Sequence, residues 1–318
     1  MRRGDKHFYE LSMERLFLIG GSGFIGKNFV DVFDKQYEIY VFDRYIDEEF
    51  FSHYNAQTCR IDLVSDAIPD GYPTPDYIVN LSSIVNTSDD LTLFDQLISS
   101  NLKVLLNLYE QFKTCETLKL FVQFGSSEEY GAISTPFKEE TREQPSTPYA
   151  LVKQLVVNTS MMLYRNFKFP IMAVRPGNLF GKYQNTKRFI PYIITQLSKN
   201  EPLDVSKCEQ KRDFMYINDF VSCLNKLLEN HEKVKGEIVN ISTGKSVSLK
   251  SLIEICRKAT GSVSVVNYGV IPYKANEIMD LNCSVNKYEN MIGENVPGNL
   301  QKAIHECVNF YAMGGVKI

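Results

Sequence analysis

Seven residues, Gly20-Gly21-Ser22-Gly23-Phe24-Ile25-Gly26, join the apolar run Leu16-Phe17-Leu18-Ile19 to a stretch with apolar side chains at 25, 29, 32 and 33. A short run without polar alternation fits a strand buried on both faces of a parallel sheet. The second spacing is helical. Gly20 permits the tight turn between them, Gly23 lets a pyrophosphate approach the backbone, and Gly26 lets the helix pack close to the sheet. The helix opening at Phe24 and Ile25 then offers N–H donors and a positive dipole end. Glycines mark many turns; strand, helix and a later acidic residue give this one meaning. Asp43 closes the second strand, Ile39-Tyr40-Val41-Phe42. A carboxylate there can accept from ribose hydroxyls and repel a 2′-phosphate, so NAD(H) is the expected dinucleotide. Arg44 beside it could hold that phosphate, which leaves NADP(H) open.

Strand and helix patterns go on alternating. Tyr77-Ile78-Val79 and Leu120-Phe121-Val122 read as central strands separated by a helix from Leu91 to Phe112, and Ile171-Met172-Ala173-Val174 follows a helix from Pro148 to Tyr164. This rhythm predicts an α/β chain with a doubly wound parallel Rossmann sheet and right-handed crossovers. After Pro176 it loosens. Helical patterns at 188–198, 216–229 and 249–259 alternate with short strand-like pieces at Glu237–Ile241 and Val263–Val266. The expected organisation is a dinucleotide-binding domain over 14–177 plus about 213–243. A smaller mixed α/β substrate lobe takes 178–212 and 244–318, and 1–13 is a flexible tail.

Bulk properties exclude other classes. With 44% hydrophobic and 23% charged residues the chain is an ordinary globular protein, and a net charge of −3 gives no footprint for nucleic acid. No stretch approaches the roughly 20 apolar residues of a membrane span, and the basic start lacks the apolar run of a secretory signal. The seven cysteines are scattered without C-x-x-C spacing, so no metal site is expected, and they read as buried thiols of a reducing cytoplasm.

Chemistry gathers at two places. Tyr149 and Lys153 stand at i and i+4 on the helix that follows Pro148. An ammonium beside a phenol favours the phenolate, so the tyrosine pKa is expected to fall toward the operating pH. Tyrosine and lysine four apart occur often by chance. Upstream, however, Gly125-Ser126-Ser127-Glu128-Glu129-Tyr130-Gly131 follows the strand at Leu120, at the sheet edge where such folds place their ligands. Small hydroxyls there can orient a substrate oxygen, although serines also serve as caps and turns. All four histidines lie outside these segments, which argues against a histidine-based hydrolase.

GGSGFIG, GSSEEYG, PYALVK, RPGNLFG (175–181) and RDFMYINDF (212–220), in this order, resemble an extended short-chain dehydrogenase/reductase of the nucleotide-sugar epimerase, dehydratase and 4-ketoreductase group. The resemblance runs from about Glu14 to Tyr311. It implies a nucleotide-diphosphate sugar as substrate, with Tyr149 as the acid/base, Lys153 tuning it and meeting the nicotinamide ribose, and Ser126 as the catalytic hydroxyl. It implies cofactor contacts from Asp62 and Leu63, from Leu81-Ser82-Ser83, from Asn101 and from Pro176. Ser127, Asn178, Arg212, Lys274 and Glu277 would hold the substrate. Lys274 stands where the family often has arginine, keeping the charge but losing the bidentate fork. A homodimer through helices at 91–113 and 148–165 is also implied.

The group's common chemistry is hydride transfer at a hexose C4. GSSEEYG and GVIPYKANEIMD resemble reductases of 4-keto-6-deoxy sugars, so 4-ketoreduction is the expected reaction. Asp43 leans toward the tightly held NAD of a 4-epimerase, the alternative. A 4,6-dehydratase needs a further base, for which Glu128 stands ready. A dinucleotide-binding regulator without catalysis is the remaining reading, and the presence of Ser126, Tyr149 and Lys153 together speaks against it.

Overall fold

The computed structural model describes residues 13–273 and 277–312. Most of the expected tail, residues 1–12, and Lys274 lie outside the described residues. The strands are β1 (Glu14–Ile19), β2 (Tyr37–Asp43), β3 (Gln57–Arg60), β4 (Tyr77–Asn80), β5 (Leu120–Phe124), β6 (Ile171–Pro176), β7 (Asn178–Phe180), β8 (Leu203–Val205), β9 (Lys211–Tyr216), β10 (Ile238–Ile241), β11 (Ser246–Ser248), β12 (Val266–Tyr268) and β13 (Asp280–Leu281). The helices are α1 (Phe24–Phe33), α2 (Glu48–Phe51), α3 (Phe94–Ile98), α4 (Val104–Phe112), α5 (Pro148–Phe167), α6 (Phe189–Ser198), α7 (Ile217–Glu229), α8 (His231–Val234), α9 (Leu249–Thr260), α10 (Asn286–Ile292) and α11 (Leu300–Ala312).

Seven strands form one parallel sheet in the order β10-β6-β5-β4-β1-β2-β3. The chain winds outward from β1 through β2 and β3, then returns to β4 on the other side of β1. The order therefore reverses between β1 and β4, and the crevice beyond their carboxyl ends is where a doubly wound sheet takes ligands. Both faces are covered, as the unbroken apolar strands require. Leu16 and Leu18 of β1 join Val41, Val79, Val122 and Val174 on the face covered by Phe29 and Val30 of α1 and Phe220 and Leu224 of α7. Phe17 and Ile19 point the other way, among Phe42, Ile78 and Phe121, beneath Leu97, Leu105, Leu108, Val152 and Val156.

A second sheet joins β11, β9 and β13, with β7 also on β9, and β8 pairs with β12. The expected boundary between residues 212 and 213 falls inside β9, which runs unbroken across it. Two expected elements differ. The helix expected over Leu91–Phe112 is a 3-10 turn at Leu91–Leu93, then α3, a π-helical segment Ser99–Lys103 and α4. Within it the Leu97 carbonyl accepts from the Asn101 amide at 2.9 Å and the Ser100 hydroxyl at 3.3 Å, side chains that compete with the regular ladder. The strand expected at Val263–Val266 begins only at Val266. Ser262 and Asn200 hold 262–264 in a turn: the Ser262 hydroxyl accepts from Ser264 N at 3.2 Å, and Asn200 Oδ1 accepts from Val263 N at 3.1 Å.

All seven cysteines are free; Cys59 and Cys115 are half-buried rather than buried. No helix among the described residues is long and apolar enough to cross a membrane.

Candidate active site

A cleft of about 690 Å³ opens at the carboxyl edge of the main sheet. The glycine turn forms one wall. Gly20 has φ +69°, and a Cβ there would stand 2.8 Å from the backbone of Ser82. Gly26 is packed on the turn itself, where a Cβ would lie 2.2 Å from the Gly21 carbonyl oxygen. α1 begins after Gly23 with no side-chain cap, so its first-turn N–H groups face the cleft free to meet an anionic group. Asp43 stands beside the turn, its Oδ2 accepting from Ser22 N at 3.1 Å, and burial pushes its carboxyl above the usual range. Phe24, Ile25, Arg44, Asp62, Leu63, Leu81, Ser82, Ser83 and Pro176 line the same cleft. Ser82 is fixed from below: its hydroxyl donates to Asn80 Oδ1 at 2.6 Å, and the Asn80 amide donates to Gln123 Oε1 at 2.8 Å.

The second wall is the strand-end motif. Ser126 caps a 3-10 turn over Ser127–Tyr130, its Oγ accepting from Glu128 N at 3.2 Å. Ser126, Ser127, Glu128 and Tyr149 all line the cleft. Tyr149 stands in the first turn of α5, started by the Thr147 cap and Pro148. Lys153, one turn on, is fully buried behind it, its Nζ donating to the Phe124 carbonyl at 3.0 Å and lying 5.9 Å from the centre of the Tyr149 ring.

The electrostatics differ from the spacing-based expectation. Burial pushes the Tyr149 phenol up to about 12, against the downward pull of hydrogen bonds with Ser126 and Ser83, and Glu128 and Glu129 add to the rise. Burial also brings the Lys153 ammonium down to about 8, with Glu129 holding it up. Burial thus raises the phenol more than its hydrogen bonds with Ser126 and Ser83 lower it.

Other expected residues lie elsewhere. Asn101 sits in the π-helical segment behind Ser100, which does line the cleft, and its Oδ1 has no hydrogen-bond partner among the described residues. Asn178 lines the cleft, whereas Arg212 and Glu277 form an ion pair with each other at 2.6 Å outside its lining. Gln184, Asn185, Arg188, Phe189 and Phe214 line the cleft without having been singled out. Arg188 opens the 188–198 helical pattern, but spacing alone does not say which way a helix start faces.

Residues 16–242 match the model of the NAD dependent epimerase/dehydratase family. The chain belongs to this family. Its dinucleotide is accordingly NAD, and the uncapped α1 and the glycine turn fit one. The CDP-abequose synthase of Salmonella muenchen is 31% identical over 136 residues, 43% of this chain and 46% of that protein. The GDP-6-deoxy-D-talose 4-dehydrogenase of Aggregatibacter actinomycetemcomitans is 25% identical over 244 residues, 76% of this chain and 78% of that protein. The chain spans about half the length of the curated relatives it matches at 30% identity or more. Among solved structures, a UDP-N-acetylglucosamine 4-epimerase from Methanobrevibacter ruminantium superposes with a TM-score of 0.87 at 21% identity, covering 95% of this chain and 99% of the other, which establishes the fold.

Proposed function

We propose that this family member reduces the C4 carbonyl of a nucleotide-diphosphate 4-keto-6-deoxy hexose. The observation that carries the reading is the meeting of Tyr149, Ser126 and the glycine turn on one cleft. When bound there, reduced NAD supplies the hydride. Tyr149, held neutral by burial, gives its proton to the C4 oxygen as that oxygen gains charge. Ser126 hydrogen-bonds the same oxygen, and the fixed capping turn keeps its hydroxyl in place. Lys153 sits behind the phenol as a buried cation and stabilises the tyrosinate left after transfer. Asn178 and Arg188, which line the cleft, would meet the substrate's polar groups, and Arg212 would leave its Glu277 partner to meet a diphosphate. The relative named a GDP-6-deoxy-D-talose 4-dehydrogenase supports redox chemistry at C4 of a deoxy sugar.

A 4-epimerase is the second reading, favoured by Asp43 on the cleft wall, suited to a retained NAD. The deciding experiment incubates purified protein with reduced NAD and a nucleotide-linked 4-keto-6-deoxy hexose, following loss of the reduced nicotinamide absorbance. Stoichiometric oxidation is expected. Inversion at C4 of an ordinary nucleotide hexose, with no net oxidation of cofactor, would overturn the ketoreductase reading in favour of the epimerase.

A further inference from the structure

Four non-glycine residues among the described ones have positive φ. Lys168 caps α5 and Asn200 follows α6, where a left-handed residue is an ordinary helix ending. Tyr183, at φ +61°, has no helix before it and stands in the loop between β7 and α6. A bulky side chain in the left-handed region is strained, and its surroundings must offset that strain. Here two rings hold it. Phe50 of α2 and Phe310 of α11 both pack edge-on against Tyr183, with ring centres 5.1 and 5.0 Å away. The backbone on either side is held as well. The Asn28 amide on α1 donates to the Lys182 carbonyl at 2.9 Å, and the Tyr311 hydroxyl meets the carbonyls of Gly181 at 2.9 Å and Gln184 at 3.0 Å. Directly after Tyr183 come Gln184, Asn185 and Arg188, all of which line the cleft.

We propose that Tyr183 is a positioning residue for the substrate: its ring, held by Phe50 and Phe310, keeps the backbone in the left-handed turn that brings Gln184, Asn185 and Arg188 to the cleft. A loop already in place does not have to be ordered when the ligand binds. The proposal rests on the reading of the cleft as a nucleotide-sugar site.

Three substitutions at 183 separate the ring from the strain. Tyr183→Phe keeps both, Tyr183→Gly removes both, and Tyr183→Ala keeps the strain but loses the ring that offsets it. Hydrogen exchange read by mass spectrometry reports protection over 181–188. Calorimetric titration of NAD-loaded protein with UDP, CDP, GDP and dTDP in turn reports the substrate side. Tyr183→Phe should match the wild type. Tyr183→Ala should protect the loop least and weaken whichever nucleotide the wild type binds by about tenfold, the effect of strain of this kind once it is no longer offset. Tyr183→Gly should fall between the two. Glycine weaker than alanine, or an alanine variant with wild-type protection and affinity, overturns the proposal. NAD affinity should stay near wild type in all three; a parallel loss would make Tyr183 a general support of the fold and overturn the proposal too. Should Tyr183→Ala fail to fold, Phe310→Ala takes away one of the two rings and leaves the tyrosine strained. The same tenfold loss is expected there, and wild-type affinity overturns the proposal. A wild-type protein that takes none of the four nucleotides overturns the nucleotide-sugar reading and, with it, the use assigned to the loop, whereas the order of protection stands or falls on Tyr183 alone.

Discussion

Tyr149 shows how far residue-level reading reaches. The i, i+4 spacing with Lys153 was legible, because a helix started by Pro148 must put the two on one face. The phenol's protonation was not, because it depends on what is packed around it. Ser83, Ser126, Glu128 and Glu129 come from other segments; burial, with the two glutamates, outweighs the two serines, so the pKa rises to about 12 instead of falling. A neutral phenol at working pH suits a proton donor. Tyr149→Phe keeps the ring in its buried place and removes the proton. Turnover should therefore drop by about 10²–10⁴-fold, the contribution of one general acid, while NAD binding by calorimetric titration stays near wild type. Turnover close to wild type would remove Tyr149 from the mechanism.

At the scale of elements, the glycine turn was the most legible part, since three glycines between a strand and a helix leave few alternatives. Its three positions do different work, and space separates them. A Cβ at Gly26 would collide with the Gly21 carbonyl at 2.2 Å, whereas one at Gly23 would meet only the Gly20 oxygen at 3.4 Å, an ordinary contact. Gly26→Ala should thus cost stability, about 1–3 kcal/mol for an overpacked backbone contact, and weaken NAD together with it. Gly23→Ala should leave the thermal midpoint nearly unchanged yet lose NAD, because its methyl stands at the uncapped start of α1. Equal stability losses in the two variants would contradict this division. Less legible were the π-helical segment at Ser99–Lys103 and the turn at 262–264, where Asn101, Ser100 and Ser262 spend their hydrogen bonds locally against the apolar periodicity. The small sheets were hidden for another reason. β7, β8, β11, β12 and β13 have two or three residues each, too short for a period, and pair with partners distant in sequence.

For the whole molecule, the sheet's strand alternation was readable from the start, and the resemblance implied a dimer through the helices at 91–113 and 148–165, but spacing alone did not show which side chains stay exposed there. α3, α4 and α5 cover one face of the sheet with Leu97, Leu105, Leu108, Val152 and Val156 turned inward. Their outer sides carry Ile98, Leu106, Leu151 and Leu155, each more than a third exposed, with Phe167 at the end of α5 exposed by 58%. One exposed leucine is ordinary, but a run of them across neighbouring packed helices marks a surface that takes a partner. A second copy of this chain is the partner we propose, since an isologous two-fold contact sets the same apolar helices against each other. Light scattering coupled to gel filtration should give twice the chain mass of 36.4 kDa. Leu151→Glu/Leu155→Glu, which places four carboxylates across a two-fold contact, should give the single mass. From α5 the cleft takes the buried Tyr149 and neither Leu151 nor Leu155, so the monomeric variant should still bind NAD. A wild-type protein that runs as a monomer would remove the dimer, and a variant that loses NAD binding along with its partner would mean that the two surfaces are not independent.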